Sequence, residues 1–79
     1  MNIIYEMTEE SYSSEGNTRV SYGIAAYADS KDGSTATMID VIHDITSDKQ
    51  AMYKLVELCN RLKLSTVHLR EVIDDFLAN

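Results

Sequence analysis

Proline and tryptophan are absent from these 79 residues, and there is only one cysteine. A lone Cys59 excludes an intrachain disulfide and a zinc site built on cysteines. Such a small chain buries only roughly 60–65% of the surface its unfolded form exposes. With those two supports gone, a partner subunit is the remaining way to reinforce a thin stability margin. Basic residues are also scarce: 7 Lys and Arg stand against 13 Asp and Glu, for a net charge of −6. That balance argues against nucleic-acid binding, which calls for a basic stripe, and against docking on an anionic membrane. Its ordinary meaning is solubility. No apolar run approaches the roughly 20 residues of a membrane span. The segment from Met1 to Glu10 has three glutamates and no Lys or Arg, so it does not read as a signal peptide. A single thiol and no export signal point to the cytoplasm. Hydrophobic residues make up 44% and charged residues 25%, which excludes a disordered chain, a collagen and a coiled-coil rod.

What is present divides near residue 45. The first part is rich in Tyr, Val, Ile and Thr and carries three runs that alternate in polarity, expected as strands over about 2–10, 19–28 and 35–43. Ser13–Thr18 and Asp29–Ser34 cluster Ser, Asn or Asp with Gly and read as their connecting loops. The second part changes period. Met52, Leu55, Val56, Cys59 and Leu62 recur at spacings of three and four, which predicts an amphipathic helix over about 48–62. Ser47 with Gln50 reads as its capping box, and Asp48 as an acid in its first turn. After a break at Lys63–Leu64, Ser65 is a good N-cap for a second helix over about 66–77. Leu69, Val72, Ile73, Phe76 and Leu77 form its stripe. The expected fold is a single α+β domain over residues 1–79. It has a three-stranded antiparallel meander and a C-terminal helical hairpin packed on one face, in the order β-β-β-α-α. Ile24, Ile39, Leu55, Val56, Val72, Ile73 and Phe76 are the expected core.

Chemistry-bearing groups are few. Cys59 lies mid-stripe and toward the helix C-terminus, where a small buried hydrophobe fits better than a thiolate nucleophile. Asp74 and Asp75 are helix neighbours about 100° apart and cannot share a proton as a catalytic dyad does. His68 has only Glu71 at ligand spacing, too little for a metal. Gly-rich phosphate loops, G-x-S-x-G, H-E-x-x-H and calcium loops are all missing. The chain therefore does not read as an enzyme, and no cofactor is expected. Asn60, His68 and Asp75 are the polar residues to watch, at least one of them as a side-chain tie near the interhelical turn or the sheet edge.

Several segments carry a resemblance: Tyr22-Gly23-Ile24; Asp44 to Asp48; Leu58-Cys59-Asn60; Leu62 to Ser65; His68-Leu69-Arg70; and Asp75-Phe76-Leu77. Together, over roughly Tyr22 to Leu77, the chain resembles a family of short uncharacterised proteins from anaerobic Gram-positive bacteria. The resemblance implies a bacterial cytoplasmic setting and no activity, cofactor or catalytic residue. The functional expectation is a small non-enzymatic protein-interaction or regulatory module that binds a protein partner or itself. The alternative is a small-ligand or metal-binding protein using His68 and nearby carboxylates. A homodimer is expected through the sheet face the helices leave open, with Ile4, Ala25, Tyr27, Met38 and Ile42 on it. Gly23 and Ala25 mark a place of close approach on that face.

Overall fold

The computed structural model describes residues 3–29 and 36–78. Strands β1 (Ile3–Ser14), β2 (Asn17–Asp29) and β3 (Ala36–Thr46) precede helices α1 (Lys49–Arg61) and α2 (Thr66–Ala78). The sheet is antiparallel in the order β1-β2-β3, so β2 is central and the other two are edges. The α+β architecture expected from the change of period is the one observed.

The strands extend beyond their expected ends. The first connection is two residues rather than six: Glu15 at φ 50° and Gly16 at φ 83° turn β1 directly into β2. Two central residues with positive φ match the twist of a hairpin. β1 and β2 then stay in unbroken register from Ser14↔Asn17 to Ile3↔Ala28. The expected second loop, Asp29–Ser34, lies outside the described residues after Asp29.

β3 departs from simple alternation. Its register to β2 shifts between Ala26 and Tyr27 and again between Tyr22 and Ile24. Each shift inserts extra β3 residues, and an odd insertion exchanges the two faces. Ile42 consequently pairs with Ile24 on the helix side, while Val41 pairs with Ala25 on the opposite side. Strict alternation from Ile39 puts Val41 toward the helices and Ile42 on the open face, so both are reversed. Ile39, expected in the core, falls at the first irregularity and is 43% exposed. Asp40 turns to the helix side, where its carboxylate lies 4.0 Å from Arg70 of α2.

The core lies between the sheet and the helices. Tyr5, Tyr22, Ile24 and Ala26 meet Met52, Leu55, Val56, Cys59, Leu69 and Ile73 there. Ile24, Leu55, Val56 and Ile73 are buried as expected, but Val72 and Phe76 are only partly covered at its margin. The α2 stripe is centred on Leu69 and Ile73, one turn apart and nearer the sheet.

The caps explain where the helices begin and end. α1 is capped by Asp48 rather than Ser47. Asp48 Oδ1 accepts from the Ala51 N–H at 3.1 Å, and Thr46 Oγ1 accepts from the Asp48 N–H at 3.1 Å. A carboxylate at this position also suits the helix dipole. α1 ends with Lys63 at φ 50°, the Lys63 N–H bonding the Asn60 carbonyl and the Leu64 N–H the Cys59 carbonyl. That is a Schellman ending, normally built on glycine. Ser65 caps α2, accepting from the Val67 N–H at 3.3 Å.

Candidate functional site

Two places in the structure gather polar groups or exposed apolar surface in a pattern that needs explaining. The first fastens the helices to the sheet. Asn60, in the last turn of α1, turns its amide to the outer edge of β1. Its Oδ1 accepts from the Tyr5 N–H at 2.7 Å, and its Nδ2 donates to the Tyr5 carbonyl at 2.9 Å. The amide thus completes the backbone pairing that another strand would supply. The Tyr5 ring is buried, and its hydroxyl donates to the Leu64 carbonyl at 2.6 Å. The Schellman ending is what presents that carbonyl after the helix stops. Burial raises the Tyr5 pKa, which keeps the hydroxyl a donor. One residue of β1 therefore holds both the end of α1 and the turn into α2.

The second place is the sheet face away from the helices. Across its apolar part runs the register row Ile4↔Tyr27↔Met38, with Glu6↔Ala25↔Val41 beside it. Ile4 is 43% and Met38 50% exposed, and Ile39 is open next to them. Ala25 is fully buried between Glu6 and Val41, although it is not part of the helix-side core.

The other part of this face is polar. Asp44, at φ 56°, bulges from β3 and meets Ser21 and Arg19 of β2. Ser21 Oγ donates to Asp44 Oδ1 at 2.5 Å, and Arg19 Nη2 lies 3.3 Å from Asp44 Oδ2. The Ser21 hydrogen bond, reinforced by the Arg19 charge, holds the Asp44 carboxyl below its ordinary range. His43 Nδ1 contacts Glu10 Oε1, whose other oxygen accepts from the Tyr12 hydroxyl at 3.1 Å. That bond raises the Tyr12 pKa. Arg19 also stacks 5.2 Å above the Tyr12 ring. Gly23 is needed at the junction of the two parts. A Cβ there would overlap the Ile42 carbonyl oxygen and stand 2.8 Å from Thr8 Oγ1. The close approach at Gly23 thus belongs to the chain's own β3 bulge rather than to a second layer.

Of the residues singled out from sequence, Asn60 forms the clamp just described. His68 sits in the first turn of α2, 59% exposed, with Nδ1 3.6 Å from Glu71 Oε2. Asp75 lies on α2 beside Leu55, Leu58, Val72 and Phe76. Asn60 and His68 therefore serve separate partners. Among the described residues no group of three or more His, Cys, Asp or Glu could hold a metal ion. Burial pushes the Cys59 thiol pKa up, as suits a core position.

Sequence reasoning missed Tyr5 as a clamp and the cluster of Glu10, Arg19, Ser21, His43 and Asp44. A signal existed in β3. The doublets Met38-Ile39 and Val41-Ile42 break strict alternation, and His43-Asp44 interrupts the apolar residues before Ile45. Doublets of this kind indicate bulges.

Comparison with known proteins covers the whole chain: residues 1–79 match the family of unknown function DUF6514. The chain belongs to that family. The match takes in β1 and the first hairpin, which the resemblance over Tyr22 to Leu77 had left out. Both the Tyr5 half and the Asn60 half of the clamp therefore fall inside the DUF6514 region. No curated protein and no solved structure matches the chain.

Proposed function

We propose that this DUF6514 protein is a non-enzymatic interaction module that works through the helix-free face of its sheet, with a second copy of itself as the occupant. The observation that carries this reading is the row Ile4, Tyr27 and Met38, which lays apolar side chains across all three strands where no helix covers them. An antiparallel sheet with one covered face normally turns polar residues outward on the other. On this face Asp44 is paired with Arg19.

Edge pairing is the less favoured route to association. The Asn60 amide already occupies the backbone groups of Tyr5 on β1. On β3, the Val41 N–H donates to Asp40 Oδ1 at 2.9 Å. Engaging edge groups with side chains is a common defence against strand addition. Face-to-face pairing around a two-fold axis needs neither edge.

Size sets the strength. Strands of 11 to 13 residues in a three-strand sheet present a face of about 600 Å² per copy from strand rise and spacing. A standard interface buries about 800 Å² per partner. The dimer is accordingly a weak, concentration-dependent one. The lone thiol supports a reducing cytoplasmic location, and the sequence resemblance supports a bacterial source. Among the described residues no helix is long and apolar enough to cross a membrane.

Sedimentation equilibrium from about 10 µM to 1 mM tests the reading over the range of weak complexes. The expected result is a rise in average mass above the 8.9 kDa of one chain, strengthened by salt as like charges are screened. Met38→Asp should abolish the rise and leave the melting temperature nearly unchanged, because Met38 is half exposed. A wild-type protein that stays monomeric throughout would refute it.

A further inference from the structure

The few cations of this acidic chain are not spread evenly. The segment 49–63 holds four of the seven Lys and Arg residues, Lys49, Lys54, Arg61 and Lys63, against a single acid, Glu57. All four are exposed. None of them makes an ion pair among the described residues, although Glu57 lies within helical reach of both Lys54 and Arg61. The other two described Lys and Arg residues each have a carboxylate beside them, Arg19 with Asp44 and Arg70 with Asp40.

Helical geometry puts two of these cations, Lys54 and Arg61, on one side of α1. Met52, Leu55, Val56 and Cys59 face the sheet. At about 100° per residue, Tyr53, Lys54, Glu57 and Arg61 then fall on the outward side of α1, with Lys49 on its flank one turn before Tyr53. Tyr53 stands in their midst, 61% exposed. Beside it is an open recess of about 360 Å³ lined by Lys49, Gln50, Tyr53 and Lys54. An exposed tyrosine flanked by lysines offers an apolar contact inside a ring of positive charge.

We infer that the outward face of α1 is a second docking surface, whose occupant is a short acidic protein segment carrying an apolar residue. The carboxylates would meet Lys49, Lys54, Arg61 and Lys63, and the apolar side chain would lie against Tyr53. Charge complementarity favours a short segment over a nucleic acid. The basic face runs only about 20 Å along the helix, and the rest of the chain has twelve of the thirteen acids. A longer polyanion would be repelled as soon as it passed the ends of α1. This surface points away from the sheet face proposed for self-association, so the two readings stand or fall separately.

Fluorescence anisotropy tests it with a labelled twelve-residue peptide of Glu and Asp around a central Leu. Its Gln/Asn counterpart and a single-stranded DNA of matching length serve as comparisons. The acidic peptide is expected to bind the wild-type protein, more weakly as salt is raised, and the neutral peptide not to bind. The double variant Lys54→Glu/Arg61→Glu should weaken binding about 10-fold or more, from the loss and reversal of two exposed charge contacts. Both sites are exposed, and an unchanged melting curve confirms that the variant is folded. Tyr53→Ala should also weaken binding, whereas Met38→Asp should leave it intact even if it abolishes the dimer. Equal binding of the acidic and neutral peptides, or an unaffected double variant, would overturn the inference. Tighter binding of the DNA than of the peptide would overturn the assignment of a protein segment.

Discussion

Replacing Asn60 with Ala removes two hydrogen bonds at once and leaves the Tyr5 N–H and carbonyl without their partner. Each such bond contributes about 1 kcal/mol net, and a partly buried group left unpaired costs more. Alanine recovers roughly 0.5 kcal/mol of helix propensity in the last turn of α1. The balance is a loss of about 1.5–3 kcal/mol. A domain of this size has about 4–12 kcal/mol in total, so the loss is a large share. At about 4–8 °C per kcal/mol for a small domain, the melting temperature should fall by roughly 6–24 °C. Thermal unfolding followed by circular dichroism gives the answer directly. Tyr5→Phe extends the test, because the lost hydroxyl releases the Leu64 carbonyl from the same clamp. If both bonds hold one hairpin in place, the double variant should lose less than the sum of the singles, by about 0.5 kcal/mol or more. A melting temperature for Asn60→Ala within about 2 °C of wild type would refute the clamp.

Three further outcomes concern the polar part of the helix-free face and its junction at Gly23. Gly23→Ala should destabilise by about 1–3 kcal/mol or more in urea unfolding, since the added Cβ meets the Ile42 backbone, which cannot swing aside as a side chain would. The Asp44 carboxyl should titrate by NMR below the ordinary value of about 3.9, and Ser21→Ala should move it upward, because the Ser21 hydrogen bond is the main cause of the shift. A carboxylate with a depressed folded pKa stabilises above its unfolded value, and that contribution disappears as pH falls through the folded one. Acid sensitivity below about pH 4 should thus be reduced in Asp44→Asn; an identical acid limb in the variant and wild type would contradict this.

The change from period two to spacings of three and four near residue 45 was enough to read the fold class. Side-chain pattern fixes which face of an element is buried, and it does so best where the element is regular. The helices illustrate this: Leu55, Val56 and Ile73 are buried as their stripes require. β3 is irregular, and there the reasoning from alternation reversed Val41 and Ile42 and placed Ile39 inside. The doublets Met38-Ile39 and Val41-Ile42 mark β3 as irregular, but where the bulges fall depends on how β3 meets β2 over Gly23, a contact between segments about twenty residues apart. The Asn60 tie was legible as a type of interaction because an amide near a helix end seeks backbone groups. Its partner, Tyr5, was not, since the two are 55 residues apart in the chain. The polar cluster at Asp44 was equally hidden, because Arg19, Ser21 and Asp44 converge only after the bulge turns Asp44 toward β2.

The claim that the helix-free face is where copies of this chain meet is tested most directly by a dilution series of backbone and methyl NMR spectra from about 1 mM to 10 µM, the range of a weak complex. The account predicts that resonances of Ile4, Tyr27, Met38, Ile39 and Val41 move with concentration while those of α1 stay fixed. Spectra that do not change with dilution, or changes confined to the helices, would contradict it.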